Sequence, residues 1–295
     1  MVAAVGDGRS LLLLGGGKMG EALVGGLVAQ AWSHAKAITV VEPYESRRKD
    51  LASRYPGLRV AANVGEAIDG ATDGAPDGAA LDGAWRPDGA VIAVKPADVR
   101  AACRDLASVR VPRVLSIAAG VTTKSIESWL ADDGDAPSPA VVRAMPNTPS
   151  LIGAGAAAIA GGTSAGNDDL AWAAAILEAV GTVVTVSEAA LDAVTGLSGS
   201  GPAYVFLVAE ALIDAGVLVG LTRPVARQLA VQTLLGSARL LDETGEEPSS
   251  LRASVTSPGG TTAAGLRALE SAGVRSAILD AVAAATERAR QLGSQ

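Results

Sequence analysis

Two short stretches of this 295-residue chain combine residue types that can bind a small charged molecule. One is SPGG at Ser257 to Gly260, which cannot lie inside a helix, because proline lacks a backbone N–H and paired glycines favour unusual backbone angles. Thr261 and Thr262 follow, with hydroxyls and N-cap chemistry for a helix predicted over 263–271. The first amides of that helix point towards the loop and carry partial positive charge. The stretch therefore predicts a receptor for a small carboxylate, while the same residues also suit an ordinary helix start behind a flexible glycine hinge.

The second stretch is GGGKMG at Gly15 to Gly20, which follows the short apolar run 10–14 and precedes a helical pattern. A strand, a G-x-G-x-x-G turn and a helix form the context that dinucleotide binding requires. Gly15 allows the tight turn, Gly17 lets a pyrophosphate approach the backbone, and Gly20 lets the helix pack on the strand. We therefore predict a Rossmann-type dinucleotide site.

Further polar and small residues follow the ends of other predicted strands. Glu42 ends the strand 37–41, at the distance where an acidic residue accepts hydrogen bonds from the adenosine ribose. Three more strands are predicted over 90–94, 113–117 and 140–145, and the residues that follow them include Lys95, Pro96, Ala118, Ala119 and Asn147. Ligands of α/β sheets bind at the carboxyl ends of the strands, so these small and turn-forming residues leave room for a flat ring system there.

The pattern of elements changes near residue 187. Strands and helices alternate up to that point, and only helical patterns follow, over 188–194, 202–217, 224–241, 263–271 and 275–292. We predict an α/β Rossmann-type domain over 1–187 and an all-α domain over 188–295. The helix 203–218 is apolar on nearly every face, as expected of a helix buried on all sides. A helical domain this apolar is expected to cover its surface with a second subunit.

Composition argues against several other classes of protein. The net charge of −7 and the lack of a basic cluster make nucleic acid an unexpected partner. One cysteine, Cys103, excludes an internal disulfide, and one histidine, His34, excludes a Ser-His-Asp triad beside Ser198-Gly-Ser-Gly201 and a His-rich metal site. The apolar run 11–14 is too short for a signal sequence, so we expect a soluble cytoplasmic protein. Because the chain has one cysteine and one histidine, we also expect no metal site.

The remaining chemistry is one in which a cofactor performs the difficult step. Hydride transfer to an electrophilic carbon needs orientation, exclusion of water and polar anchors more than a strong acid. A C=N bond suits this site, because an imine is readily protonated before attack. A ketone would need a proton donor such as Lys95, whose place at a strand end indicates contact with the cofactor instead.

The motifs taken together resemble those of pyrroline-5-carboxylate reductase, the last enzyme of proline biosynthesis. The resemblance covers nearly the whole chain. The matching segments, in order, are GGGKMG, AVKPADV, SIAAG, VRAMPNTP, DAVTGLSGSGPAYVF, DAGVLVGLTRP, VTSPGGTTAAGL and ESAGVR. Eight segments in this order are far more specific than a glycine fingerprint, and SGSGPAY with SPGGTT is the most specific pair.

The resemblance implies a Rossmann domain followed by a helical dimerisation domain, with the helices of two subunits intertwined. It implies NAD(P)H-dependent reduction of 1-pyrroline-5-carboxylate to L-proline, at a site between the nicotinamide and the helical domain. Ser257 and the amides of Thr261 and Thr262 would hold the substrate carboxylate, and Gly260 belongs to the same loop. The Thr262 hydroxyl would face the ring nitrogen, and Pro202 would pack near the ring.

The resemblance also implies which residues contact the cofactor. They are Gly15, Gly17, Lys18, Met19, Gly20, Glu42, Lys95, Pro96, Ala118, Ala119 and Asn147. Glu42 favours NADH, because a carboxylate there repels a 2′-phosphate. Many family members use NADPH, and Arg47 and Arg48 could bind its phosphate here, so both cofactors stay open. The Gly/Asp-rich segment 70–89 departs from compact family members and reads as a surface loop.

Two other interpretations compete with this one. A related enzyme with the same two-domain plan, such as an imine reductase or a hydroxyacid dehydrogenase, would share the first domain and carry a different loop in the second. An inactive homologue could serve only as a dimeric scaffold. The intact glycines and both substrate loops argue against the scaffold interpretation. Loss of Gly17 or Thr262 would have supported it.

Overall fold

The computed structural model describes residues 9–69, 86–107, 109, 111–131 and 138–293. The chain divides into two compact units. One unit contains the sheet and includes the end of the last helix from Thr286, and the other is Ser200–Ala285. The domain boundary at residue 187 stays a prediction. The predicted surface loop 70–89 lies largely outside the described residues.

Eight strands form a single sheet in the order β3-β2-β1-β4-β5-β6-β7-β8. They are β1 (Leu11–Leu14), β2 (Ile38–Val41), β3 (Arg59–Ala61), β4 (Gly89–Ile92), β5 (Arg113–Ser116), β6 (Ala140–Met145), β7 (Gly155–Gly161) and β8 (Gly181–Thr185). Neighbouring strands are parallel except β6 and β7, which are antiparallel. The predicted Rossmann-type α/β fold is confirmed, since the first six strands have the dinucleotide-binding order 3-2-1-4-5-6.

Helices cover both faces of this sheet. They are α1 (Lys18–Ala29), α2 (Glu45–Arg54), α3 (Val64–Asp69), α4 (Val99–Leu106), α5 (Thr123–Leu130), α6 (Asn167–Glu178) and α7 (Leu191–Val194). A 3₁₀ turn, Pro96–Asp98, precedes α4. Thr122 caps α5 as its sequence position indicates, accepting a hydrogen bond from the Ser125 amide at 3.1 Å.

The core has two halves, one on each face of the sheet. Leu11 and Leu13 of β1 pack towards α1 and α6, while Leu12 and Leu14 pack into the opposite cluster with residues of α3, α4 and α5. All four leucines are buried, as expected for the central strand of a parallel sheet with helices on both faces. Each such side chain contributes about 1.5–3 kcal/mol by leaving water, which holds the carboxyl end of β1 in place.

The second unit is built from helices alone. After a 3₁₀ turn (Glu188–Ala190), α7 and a π-helical turn (Thr195–Gly199), the chain forms α8 (Gly201–Leu218), α9 (Arg223–Thr244), α10 (Pro248–Ser254), α11 (Thr261–Ser271) and α12 (Val274–Gly293). The π-helical turn and α10 were not predicted. Pro202 and Pro224 lie in the first turns of α8 and α9, where the missing N–H costs no helical hydrogen bond, and the N-cap residues Ser200 and Thr222 make no side-chain cap bond.

The start of α11 also differs from the prediction. Thr261 and Thr262 are not cap residues: Gly260 is the N-cap, with extended angles φ −78 and ψ 176, and both threonines lie in the first helical turn. Because glycine has no side chain, the first turn of α11 has no side-chain cap. Its amides therefore remain available to a ligand.

Helix α8 has no buried residue in the single chain, although its sequence indicated burial on all sides. Phe206, Leu207 and Leu218 are 62%, 66% and 86% exposed. By length and composition alone, the helical stretch Glu188–Leu218 is the one among the described residues that could span a membrane, and no residue of its most apolar 18-residue window is buried. An apolar surface of this kind requires a covering partner or environment.

Candidate functional site

The turn between β1 and α1 shows why positions 15 and 20 must be glycine. Gly15 has φ +107, a conformation that side chains disfavour. A Cβ on Gly20 would stand 2.1 Å from the Gly15 carbonyl oxygen, so only glycine lets α1 pack against the turn. A Cβ on Gly17 would instead meet nothing within 4 Å. The predicted roles of Gly15 and Gly20 are confirmed, and open space lies above Gly17.

The first turn of α1 faces this open space. Gly17 is its N-cap, with no side-chain cap bond, and Lys18 and Met19 are its first two residues. The first amides of a helix lack intrahelical acceptors and carry the positive end of the helix dipole. Open space, uncapped amides and the exposed Lys18 together fit the pyrophosphate of a dinucleotide.

Glu42 lies directly beside the glycine turn. It is only 6% exposed, and its two carboxylate oxygens accept hydrogen bonds from the amides of Gly16 and Tyr44, each at 3.0 Å. A carboxylate has about four acceptor positions, so it can still accept from a ribose hydroxyl. Glu42 thus also links the end of β2 to the turn, a role that the sequence did not indicate.

The two neighbouring arginines are held differently. Arg47 donates from Nε to the Gly16 carbonyl at 2.7 Å and forms an ion pair with Glu21, which Arg54 also contacts. Burial raises the pKa of Glu21, but the hydrogen bonds and charges of Arg47 and Arg54 outweigh it and hold that pKa below its usual value. Arg48 donates only to the carbonyls of Glu42 and Pro43 among the described residues, at 2.9 and 2.8 Å. Its charge is therefore not neutralised by a carboxylate.

The other predicted cofactor residues follow the ends of adjacent strands. Lys95 is exposed and is the N-cap of the 3₁₀ turn that Pro96 begins after β4. Ala118 is buried and Ala119 exposed after β5, which pairs with β4. Since β4 also pairs with β1, both sets of residues lie on the same edge as the glycine turn. Asn147 follows β6, the next strand along, and both polar atoms of its side chain contact the backbone.

A partly buried ion pair at β6 was not predicted. Arg143, the one charged residue of β6, is buried and donates to Glu188 at 3.2 Å. Glu188 also accepts from the amide and hydroxyl of Thr123, each at 2.7 Å. Burial raises the pKa of Glu188, but the bonds from Thr123 and Arg143 outweigh it and hold that pKa below its usual value. A charged residue inside an otherwise apolar strand was the available signal.

The predicted substrate loop in the helical unit is a tight turn. The Gly260 amide donates to the Ser257 carbonyl at 3.0 Å, with Pro258 second in the turn and Gly259 third at φ +70. Proline followed by a glycine of positive φ is the arrangement of a type II turn. The loop brings Ser257 to the start of α11. Within the described chain, the hydroxyls of Ser257, Thr261 and Thr262 make no hydrogen bond.

Several reactive residue types are unsuited to catalysis by their positions. His34 is exposed at the start of a 3₁₀ turn. Cys103 is buried, and burial raises the pKa of its thiol to about 11, so it stays protonated at neutral pH. The Ser198 hydroxyl donates to the Val194 carbonyl at 3.1 Å. Among the described residues, no group of three His, Cys, Asp or Glu side chains could hold a metal ion.

Comparisons with known proteins agree with this geometry. A family model described as pyrroline-5-carboxylate reductase dimerisation matches residues 188–292, and one described as NADP oxidoreductase, coenzyme F420-dependent, matches residues 10–120. The pyrroline-5-carboxylate reductase of Synechocystis sp. is 43% identical over 96% of this chain and 98% of its own. A solved pyrroline-5-carboxylate reductase from Coxiella burnetii is similar at a TM-score of 0.84 and 35% identity, over 97% of this chain and 99% of that one. The Plasmodium falciparum enzyme, solved with NADP bound, has a TM-score of 0.77 and 27% identity, over 97% and 98% of the two chains.

The sheet order, the glycine turn and these matches define the class: an NAD(P)H-dependent oxidoreductase with a Rossmann domain and a helical dimerisation domain. Within that class, the chain belongs to the pyrroline-5-carboxylate reductase family. The reaction of this family is the reduction of 1-pyrroline-5-carboxylate to L-proline, a step of proline biosynthesis. The expected fold class, enzyme class and family are therefore confirmed.

Proposed function

We propose that the glycine turn and strand ends of the first unit, together with the Ser257–Thr262 loop, carry the reduction of 1-pyrroline-5-carboxylate to L-proline. The observation that supports this most is the start of α11, where an uncapped first turn meets three hydroxyls that are free within the described chain. A substrate carboxylate supplies the acceptors that these donors lack.

On the cofactor side, the amides at the start of α1 and the side chain of Lys18 would hold the pyrophosphate, with Gly15, Gly17, Met19 and Gly20 forming the turn. Glu42 would accept from the adenosine ribose. Pro96, Ala118 and Ala119, with Lys95, would border the nicotinamide. A bound reduced nicotinamide supplies the hydride.

On the substrate side, Ser257 and the amides of Thr261 and Thr262 would hold the carboxylate, and Pro202 would pack near the ring. The Thr262 hydroxyl would hydrogen-bond the ring nitrogen as it changes from an iminium to an amine. A C=N substrate suits this chain, because it needs no strong acid at the reacting carbon, and the only histidine is exposed. A hydroxyacid dehydrogenase would need such a proton donor.

The enzyme would act as a homodimer or as an assembly of dimers. The exposed apolar helix α8 lies inside the 188–292 match to the dimerisation model, so a second copy, and not a lipid bilayer, would cover it. We propose a cytoplasmic location, and no nucleic-acid partner for a chain of net charge −7.

The purified protein is expected to oxidise NADH or NADPH when 1-pyrroline-5-carboxylate is added, and to release proline without added metal. The measurement is the fall in absorbance of the reduced nicotinamide, with proline identified by mass spectrometry. A 2-ketoacid and an acyclic imine serve as rival substrates. Turnover of a rival in preference to pyrroline-5-carboxylate, or no turnover in folded protein, would remove the proposal.

Cofactor choice is expected to depend on Glu42. If Glu42 accepts from the ribose, kcat/KM is higher with NADH than with NADPH. Glu42→Ser should then lower the ratio of kcat/KM with NADH to kcat/KM with NADPH by roughly tenfold or more, because a hydrogen bond to a charged group is lost. Glu45→Ser is the matched control: it removes the same charge from an exposed pair with Lys49, three residues along the chain. A wild-type preference for NADPH would show that Arg48 prevails and that our assignment of Glu42 is wrong.

A further inference from the structure

The backbone carbonyl of Ser198 lacks its usual helical hydrogen-bond donor, because a proline occupies the donor position. In an α-helix this oxygen would accept from the amide of residue 202, but that residue is Pro202, which has no N–H. The next amide, that of Ala203, donates to Ser200 at 3.0 Å instead. The break coincides with the π-helical turn Thr195–Gly199, a local form that often occurs at functional sites.

Asn147 supplies the missing donor. Its Nδ2 donates to the Ser198 carbonyl at 3.0 Å, and its Oδ1 accepts from the Ala156 amide at 2.9 Å. The Ala156 amide can only donate and the Ser198 carbonyl can only accept, so the orientation of the Asn147 amide is fixed by its partners.

The amide of Ala156 on β7 also has the Asn147 side chain as its hydrogen-bond acceptor. The ladder between β6 and β7 ends at the pair Met145 and Ala158, so Ala156 lies beyond the last strand pairing with β6. The Asn147 side chain thus bonds to β7 just beyond the end of β6. Gly199 packs closely at the same strand end, since a Cβ there would stand 2.5 Å from the Met145 Cε. The end of β6 therefore holds the π-helical turn by one hydrogen bond and one close contact.

We propose that Asn147 is a positioning residue, which fixes the turn leading into Pro202, and not a contact of the nicotinamide ring. The inference rests on the proposed role of Pro202 beside the substrate ring. Both polar atoms of Asn147 are bound to the backbone, whereas its neighbours on the cofactor edge, Lys95 and Ala119, are exposed. A shift of this turn moves Pro202 through three covalently linked residues, Gly199, Ser200 and Gly201, and leaves the glycine turn unchanged.

The test is Asn147→Asp, which keeps the acceptor for Ala156 and replaces the donor with a carboxylate oxygen facing the Ser198 carbonyl. Amide hydrogen exchange in peptides covering 195–203 should accelerate by roughly tenfold or more, because a partly buried carbonyl loses its partner. KM for pyrroline-5-carboxylate should rise, while Kd for the cofactor stays within about twofold. A general loss of stability would lower the active fraction without this split between substrate and cofactor.

Two further variants complete the test. Asn63→Ala removes an asparagine bond to the Glu66 amide, 2.9 Å long, at the start of α3, and should leave exchange at 195–203 unchanged. Pro202→Ala returns an N–H to position 202, so adding it to Asn147→Asp should restore part of the lost protection. If Asn147→Asp does not fold, Asn147→Ala, which loses both bonds and adds no charge, replaces it in the same comparison.

The inference is overturned if exchange at 195–203 is unchanged and Kd for the cofactor rises, which would make Asn147 a direct cofactor ligand. It is also overturned if Pro202→Ala restores no protection. Failure of the proposed function gives a different result: wild-type protein would not reduce pyrroline-5-carboxylate, while the exchange measurements would still report on Asn147.

Discussion

Thr262→Ala is expected to lower kcat as well as kcat/KM for pyrroline-5-carboxylate, whereas Ser257→Ala should mainly raise KM. The substrate carboxylate is an anion before and during hydride transfer, so a bond from Ser257 contributes equally to both states. Its removal should raise KM roughly ten- to a hundredfold, the usual effect of losing a hydrogen bond to a charged group. The ring nitrogen, by contrast, changes its charge and hydrogen bonding as the hydride arrives. Loss of the Thr262 hydroxyl should therefore remove an interaction that strengthens in the transition state.

The comparison needs two controls. Thr256→Ala removes a hydroxyl from the same loop that is already bound to the Arg252 carbonyl, at 2.6 Å, and it should change kcat and KM by no more than about twofold. A cofactor deuterated at the transferred position shows whether hydride transfer limits kcat, which the interpretation requires. If Ser257→Ala lowers kcat and Thr262→Ala changes only KM, the two roles are reversed.

The second large effect concerns assembly. Wild-type protein should be a dimer or a larger assembly of dimers at micromolar concentration, with a Tm that rises with protein concentration, because no stable folded monomer is expected. Phe206→Lys places a charge on the exposed apolar face of α8. If a second copy covers that face, the buried charge has no partner there, and the variant should lose the assembly together with most of its activity.

The matched control is Ile152→Lys, which changes an apolar residue that is 83% exposed in the sheet-containing unit. It should leave the sedimentation coefficient unchanged, because that residue lies outside the 188–292 match to the dimerisation model. A compact and active 29.2 kDa species in sedimentation experiments with the wild-type protein would contradict the assembly prediction.

The sequence predicted those parts of the site that depend on local backbone chemistry. The turn at Gly15 and the close packing at Gly20 agree with the prediction, because a positive φ and a close helix approach follow from the residue type and its spacing. Pro202 and Pro224 likewise lie in first helical turns, which proline favours by its residue type alone. The start of α11 was placed two residues late, since Gly260 takes the extended cap conformation that the threonines were expected to take.

Contacts between distant segments could not be predicted in this way. Asn147 and Ser198 are 51 residues apart, and Arg143 and Glu188 are 45 apart, so no local pattern connects them. The π-helical turn Thr195–Gly199 was missed because hydrophobic periodicity does not report a local change in the spacing of helical hydrogen bonds. Helix α10 is short and polar, which left no periodic signal for it.

The most direct test of the central claim follows the hydride itself. Wild-type protein is given 1-pyrroline-5-carboxylate and reduced cofactor deuterated on each face of nicotinamide C4 in turn, and the proline formed is analysed by mass spectrometry and NMR. We predict that one of the two labelled cofactors delivers a single deuterium to C5 of proline, the carbon of the former C=N bond. Cofactor oxidation without deuterium in proline, or deuterium at another carbon, would contradict direct reduction of the imine by this chain.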